Sequence, residues 1–592
     1  MQDFIYPWKT RIARALNRLL AEQGLEGRIL ESELAAEFPP QPEFGDLGFP
    51  LFNAAKALRK PPQRIAQDLA RTLAGEAPGE DGAAGTFVPQ GPYLNVLLDR
   101  GKAAARILAK VLGEDAAAPG GGGHPGPLAG LRIMVEFSSP NTNKPLHLGH
   151  LRNGALGESV SRLLAACGAE VLKVCIFNDR GAHICKSMLA YQLFGQGKTP
   201  ASEGVKGDRF VGDWYVRFHA LSRENPAAEA RALEMLRRWE AGDAETTALW
   251  KQMNAWAVEG MQETYRRTGV FFDRYYFESQ TYLEGKAEVL RGLDRGVFYQ
   301  EAGGAVMADL SGENLDKKAL LRQDGTSIYI TQDIGTALYR HKDWPFHRLI
   351  FVVGSEQRYH FQALFSILKK LGYTWAENLY HLSYGMVNLP EGKMKSREGT
   401  VVDADDLLDD LRDLALQEIQ DKDREEAVGD PEAVAEKVAL GALHYYLLAA
   451  SPAKDMLFNP KESLSFNGNT GPYLQYTGAR LSALLHRAAE QGGLADKPDT
   501  ALLTGDREWE LLKLLASYPE TAAAAAAKLD PSILAAYVYE LAKSFSRFYH
   551  DCPILSGENP ALRHPRLALC QGILRVLRDA LGLLNIPFLE TM

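Results

Sequence analysis

The strongest constraint on this chain is an alternation that begins at residue 131. LRIMVEFSS is a short apolar run, fit for a strand buried on both faces. A turn rich in Pro, Asn and Gly follows, and an amphipathic helix is expected from near Leu148. EVLKVCIFND and HICKSMLAYQLF repeat strand and helix. After a polar, less regular stretch, SIYITQD reads as a strand leading into a helix from about Ile334. RLIFVVGSEQ, HFQALFSILKKLG and NLYHLSYGMV continue the pattern. Strands separated by helices pair in parallel, so the order predicts a parallel α/β nucleotide fold split by an insertion.

The rest of the chain divides around this core. Residues 1–115 mix helical stretches with a strand candidate, GTFVPQGPYLNVLLD. Residues 116–130 contain APGGGGHPGPLAG, which cannot continue a helix and reads as a linker. The α/β region is assigned to 131–402, with the insertion at about 195–320. A helical connector is expected over 403–440 and a helical bundle over 441–592. Leu534, Tyr537, Val538, Leu541, Phe545 and Phe548 repeat at helical spacing. That stripe predicts bundle core rather than a platform for stacked bases.

At 592 residues, several domains are expected. No apolar run approaches the length of a membrane-spanning helix. The first twenty residues show an amphipathic period instead of a signal peptide's apolar stretch. Cys167, Cys175, Cys185, Cys552 and Cys570 form no CxxC pair, which argues against a disulfide framework or a zinc site. The expectation is a cytoplasmic protein with no membrane partner. A net charge of −9 argues against nonspecific coating of DNA. Lys56, Arg59, Lys60, Arg64 and Arg71 form a local basic patch, compatible with a solvated helix face or with nucleic-acid contact.

The chemistry centres on HLGH, residues 147–150. It follows the strand ending in Ser138-Ser139-Pro140 and opens a helix. Ligands of open α/β sheets bind beyond the carboxyl ends of strands, and helix N-termini attract phosphate. Gly149 lets a nucleotide approach the backbone, and His147 and His150 can donate to phosphate oxygens. A metal pair would need a third ligand, and none is evident nearby, so no tightly bound metal is expected. GKMKSREGT, 392–400, is a basic loop after the last strand. Lys393, Lys395 and Arg397 there suit a triphosphate whose charge shifts to leaving pyrophosphate.

With EFSSPNTNKPLHLGHLRN, DGTSIYITQDIGTALY, VVGSEQRYHFQALF, YGMVNLPEGKMKSREGT and LSFNGNTGPYLQYTGARL on the page, the chain resembles class I arginyl-tRNA synthetases, nearly end to end. HLGH resembles the class's HIGH signature. KMKSR resembles its KMSKS loop, with Ser396 where the second lysine usually sits. Gly478, in QYTGAR, stands where the family more often has histidine.

The resemblance implies a Rossmann-like catalytic domain, an N-terminal α+β tRNA-contacting domain and a C-terminal all-α anticodon-binding bundle. It implies ATP-dependent attachment of L-arginine to tRNA through an arginyl-adenylate, with tRNA bound before arginine is activated. Magnesium would travel with ATP, and the family is often monomeric. It places His147, Gly149, His150, Gly354, Met386, Val387, Lys393, Met394, Lys395 and Ser396 at ATP. It places Glu136, Ser139, Asn141, His150, Tyr329, Asp333 and Gln357 at arginine. Catalytic roles fall to His147, His150 and Lys393, joined by Lys144, a cation expected to compensate for Ser396. Asp333 is expected where YITQD passes from strand to helix, at the sheet's ligand edge, with a helix N-cap as its other reading. Rival readings are a related nucleotidyltransferase, which would not need the N-terminal domain or the long C-terminal bundle, another class I synthetase, and, last, a non-charging tRNA-binding paralogue. The last predicts loss of the HLGH histidines, and both are present.

Overall fold

A computed structural model describes residues 2–592 apart from 38, 40, 75–84, 114–125, 389–401, 422–428, 494, 496 and 558. The chain divides into two units. One holds residues 1–123, 480–521 and 540–579, the other residues 124–479, 522–539 and 580–592. No described helix is long and apolar enough to cross a membrane.

In the first unit, β1 (Leu47–Pro50), β2 (Gly85–Gln90) and β3 (Tyr93–Leu98) form an antiparallel sheet of order β1-β3-β2. The single strand candidate in GTFVPQGPYLNVLLD is thus two strands. Gly91, at φ 55°, makes the turn between them. Trp8, Ile12, Leu16, Phe49 and Leu69 form the core beneath the sheet.

The second unit is built on five parallel strands: β4 (Arg132–Glu136), β5 (Glu170–Phe177), β6 (Arg274–Phe277), and, after a small antiparallel sheet of β7 (Tyr299–Gln300), β8 (Val306–Ala308) and β9 (Lys318–Leu321), the strands β10 (Arg348–Gly354) and β11 (Leu379–Tyr384). The order is β11-β10-β4-β5-β6. The chain winds outward from β4 through β5 to β6, then returns to the other side of β4. Neighbouring connections therefore diverge between β4 and β10, which opens a crevice at their carboxyl ends.

Two expectations about this sheet are corrected. SIYITQD is not a strand. A helix, Tyr329–Asp343, starts at its third residue, directly after Ile328, which is extended at φ −111° and ψ 174°. Ile330, Ile334 and Ala337 are buried at helical spacing, and that face outweighs the strand-like Ile-Tyr-Ile run. The fifth strand is instead RYYF, β6, inside the stretch assigned to an insertion. Four residues are too few to show an alternating pattern, and β6 is held by pairing with β5. Before it, helices Gly207–Glu224, Ala227–Glu240 and Ala244–Arg267 share a core with Phe210, Phe218, Met235 and Met253.

The Tyr329–Asp343 helix lies close against Leu283–Asp294, because two glycines meet. A Cβ on Gly285 would strike the Thr331 carbonyl, and one on Gly335 would stand 2.6 Å from Gly285 N. Gly335→Ala is expected to destabilise the fold by about 1–3 kcal/mol. A lowered midpoint of denaturant unfolding at unchanged slope would register it. The stripe from Leu534 to Phe548 is buried throughout, as core.

Candidate active site

A cavity of about 320 Å³ occupies the crevice at the ends of β4 and β10. The HLGH helix, Leu148–Ala166, points its N-terminus there. His147 is the N-cap. Its Nδ1 accepts from Gly149 N at 3.1 Å, and His150 Nδ1 accepts from His147 N at 3.1 Å. The two rings lie 4.0 Å apart. A Cβ on Gly149 would stand 2.9 Å from the His147 ring, so glycine is needed for the cap itself. Burial, reinforced by the Lys144 charge, lowers the His147 pKa to about 4. Burial, with His147 and Lys144, holds His150 well below its ordinary value. Both rings are therefore neutral at pH 7. With Nδ1 accepting, each proton sits on Nε2, and two N–H donors remain for a ligand.

Two strained residues follow strand β4 closely. Ser138 and Ser139 have φ of 65° and 47°, rare for residues with a Cβ and frequent at ligand sites. Ser138 Oγ is 2.7 Å from Tyr265 Oη. Asn153 ties three strand ends together: Oδ1 accepts from Ser138 N, and Nδ2 donates to Val352 O at 2.8 Å and Tyr384 Oη at 3.1 Å.

The opposite wall is acidic. Asp333 Oδ2 and His360 Nε2 are 2.6 Å apart, and the Tyr329 and His360 rings are 5.2 Å apart. Asp333 sits in the second turn of its helix, so both the strand-end placement and the N-cap alternative are corrected. Beside it lies Glu278, whose pKa burial raises to about 7, with Arg180 opposing the shift and Asp179 and Asp333 adding to it. The Gln332 amide, oriented to satisfy both neighbours, donates to Glu278 Oε1 at 2.9 Å and accepts from Arg180 Nη1 at 2.8 Å. Glu136 has both oxygens engaged, one by Arg340 and one by Ser139 Oγ at 2.9 Å.

His147, Gly149, His150, Gly354, Met386, Val387, Glu136, Ser139, Tyr329, Asp333 and Gln357 all line this one cavity. Asn141 does not, and its backbone bridges to Asn178 instead. Lys144 is outside the lining too, yet its charge acts on both HLGH histidines. Lys393, Met394, Lys395 and Ser396 lie outside the described residues. Sequence reasoning missed Glu278, Asn153 and Gln332. Nothing in the string FESQ marks Glu278, because its setting comes from distant chain segments. At Gly478 a Cβ would meet the Phe588 ring at 2.6 Å, which accounts for a glycine there. In the first unit, Asp68 pairs with Lys60 and Arg71 of the basic patch.

Comparison with known proteins supplies the family. Residues 129–459 match the model of the class I tRNA synthetases (R), catalytic domain. Residues 7–98 match the arginyl tRNA synthetase N terminal domain, and 474–592 the DALR anticodon binding domain. The chain is 57% identical to an arginine–tRNA ligase of Treponema denticola and 54% identical to one of Treponema pallidum, each over the full length of both chains. Among solved structures, it resembles Thermus thermophilus arginyl-tRNA synthetase, with a TM-score of 0.79 at 28% identity, covering 99% of this chain and 100% of that one. Matched by the catalytic-domain model over more than half of its residues and by arginine–tRNA ligases along its whole length, the chain belongs to the class I arginyl-tRNA synthetases.

Proposed function

We infer that the cavity brings ATP and L-arginine together, with phosphates at the HLGH corner and the guanidinium at the acidic wall. The enzyme is an arginine–tRNA ligase. The observation that carries the site reading is the polarity of this one cavity: two N–H donors at one end, Asp333 and Glu278 at the other. The arginine carboxylate attacks the α-phosphorus in line. Its bond to the bridging oxygen breaks, pyrophosphate leaves, and a mixed anhydride, arginyl-adenylate, forms. A terminal tRNA hydroxyl then attacks the carbonyl carbon, loses its proton and displaces AMP. Catalysis is mostly positioning and charge stabilisation.

In this reading His147 and His150 donate Nε2–H to phosphate oxygens, and Lys144 supplies fixed positive charge. Gly354, Met386 and Val387 border the adenosine. Asp333, Glu278 and Tyr329 receive the planar guanidinium, whose several donors need more than one acceptor. Glu136 supports the wall through Arg340 and Ser139. In this reading magnesium travels with ATP. The enzyme works as a cytoplasmic monomer and activates arginine only with tRNA bound. Charging total tRNA with each amino acid in turn tests the assignment, and pyrophosphate exchange with and without tRNA tests the coupling. Charging with another amino acid overturns the first. Robust exchange without tRNA overturns the second.

Glu278 makes arginine use pH-dependent. Its carboxyl, pushed up by burial to a pKa of about 7, is ionised at pH 8 and mostly neutral at pH 6. The guanidinium binds the ionised form, so the arginine KM is expected to rise by up to about tenfold from pH 8 to pH 6. Glu278→Gln is expected to flatten that profile and raise the KM at pH 8. A slope that survives the substitution would assign the titration to another group.

A further inference from the structure

Two residues after His150, the same helix buries Arg152 to 2% exposure. Its guanidinium is met by four backbone carbonyls from two separate segments. Nη1 donates to Gly385 O at 2.6 Å and Met386 O at 3.0 Å. Nη2 donates to Lys454 O at 2.7 Å and Pro452 O at 3.3 Å. Among the described residues no carboxylate stands within ion-pair distance of Arg152; Asp455 and Tyr384 act on it only through the field, and burial lowers its pKa. A planar fork of donors suits this double grip, which one ammonium point charge does not reproduce.

The gripped segments are stitched to each other as well. Gly385 N donates to Pro452 O at 2.9 Å, and Met386 N to Asp455 Oδ1 at 2.7 Å. Val387–Asn388 pairs in parallel with Met456–Leu457. A Cβ on Gly385 would lie 2.5 Å from the Lys454 carbonyl, so the backbones touch. Met386 and Val387 form part of the cavity wall, whereas Arg152 does not reach the cavity.

We propose that Arg152 is a positioning residue for ATP: it locks the Gly385–Val387 wall of the cavity to the HLGH helix and to the Pro452–Leu457 segment. The inference rests on the reading that ATP occupies this end of the cavity. Arg152 fixes the distance between the phosphate donors, which lie on its own helix, and the wall that borders the adenosine. Misplacing that wall weakens ATP binding and leaves the Asp333 end, on another helix, in place.

The test is steady-state aminoacylation by the full-length enzyme, with KM for ATP and arginine measured separately and ATP binding measured directly. Arg152→Met is expected to raise the ATP KM and dissociation constant by 10- to 100-fold, with the arginine KM within threefold. Arg152→Lys is expected to recover part of that loss. Asp455→Ala, an exposed position that keeps folding intact, releases only Met386 N and is expected to raise the ATP KM three- to tenfold. It decides the matter should Arg152→Met fail to fold. A folded Arg152 variant with unchanged ATP binding overturns the proposal, as does an equal rise for ATP and arginine. So does Asp455→Ala with parental ATP kinetics when Arg152→Met cannot be folded. A parent enzyme that binds no ATP would instead overturn the reading of the cavity.

Discussion

Asp333→Asn is expected to raise the arginine KM by roughly 30- to 4,000-fold while the ATP KM stays within about threefold. Removing one charge from a desolvated, hydrogen-bonded ion pair typically costs about 2–5 kcal/mol, which sets that range. Asparagine keeps the size of the side chain and an oxygen that can accept from His360, so the wall keeps its shape. What is lost is negative charge beside the guanidinium. Glu278 remains and, with Asp333 neutralised, loses one of the charges that raise its pKa. It is then ionised more fully near pH 7, which offsets part of the single loss, so Asp333→Asn combined with Glu278→Gln is expected to cost more than the two single losses added together. Steady-state charging assays at saturating tRNA measure both constants. An arginine KM within a factor of two of the parent would remove Asp333 from the guanidinium site.

Lys144→Ala is expected to lower the rate of arginine activation by roughly 10²–10³. The reaction moves negative charge onto pyrophosphate, and Ser396 stands where the family pattern has its second lysine. Lys144 precedes Pro145, which restricts its backbone to extended conformations. Its charge already reaches both HLGH rings and lowers their pKa values, which places it in the electrostatic neighbourhood of the phosphate corner. Close packing helps to hold it there: a Cβ on Gly212 would lie 3.4 Å from Lys144 Cα. Single-turnover activation separates this effect from binding. Adding Ser396→Lys is expected to restore part of the loss, a non-additivity that a double-mutant cycle reads directly. Near-normal activation by a folded Lys144→Ala enzyme, or no rescue by the second change, would reject the compensation.

The sequence by itself determined the alternation of strand and helix, the corner at HLGH and the family. These are local: the apolar run of LRIMVEFSS, the helix that begins at Leu148 and the strings around them are contiguous, and each carries its meaning without its neighbours in space. Tyr329 and Asp333, which line the cavity, were picked out from one contiguous string in the same way, although their helix was read as beginning in a strand. Only the tertiary structure decided the rest. RYYF is a strand because β5 offers it backbone partners, and four residues hold no period to read. Glu278 becomes an ionisable wall residue through burial beside Asp179, Arg180 and Asp333, segments about 100 and 55 residues away in the chain. The donor state of the two histidines depends on backbone N–H groups capping a helix, and on a buried setting that no spacing reveals. Arg152 looks in sequence like any charge one turn into a helix. Its role comes from carbonyls more than 230 residues away, because a buried guanidinium takes the partners that the fold brings to it.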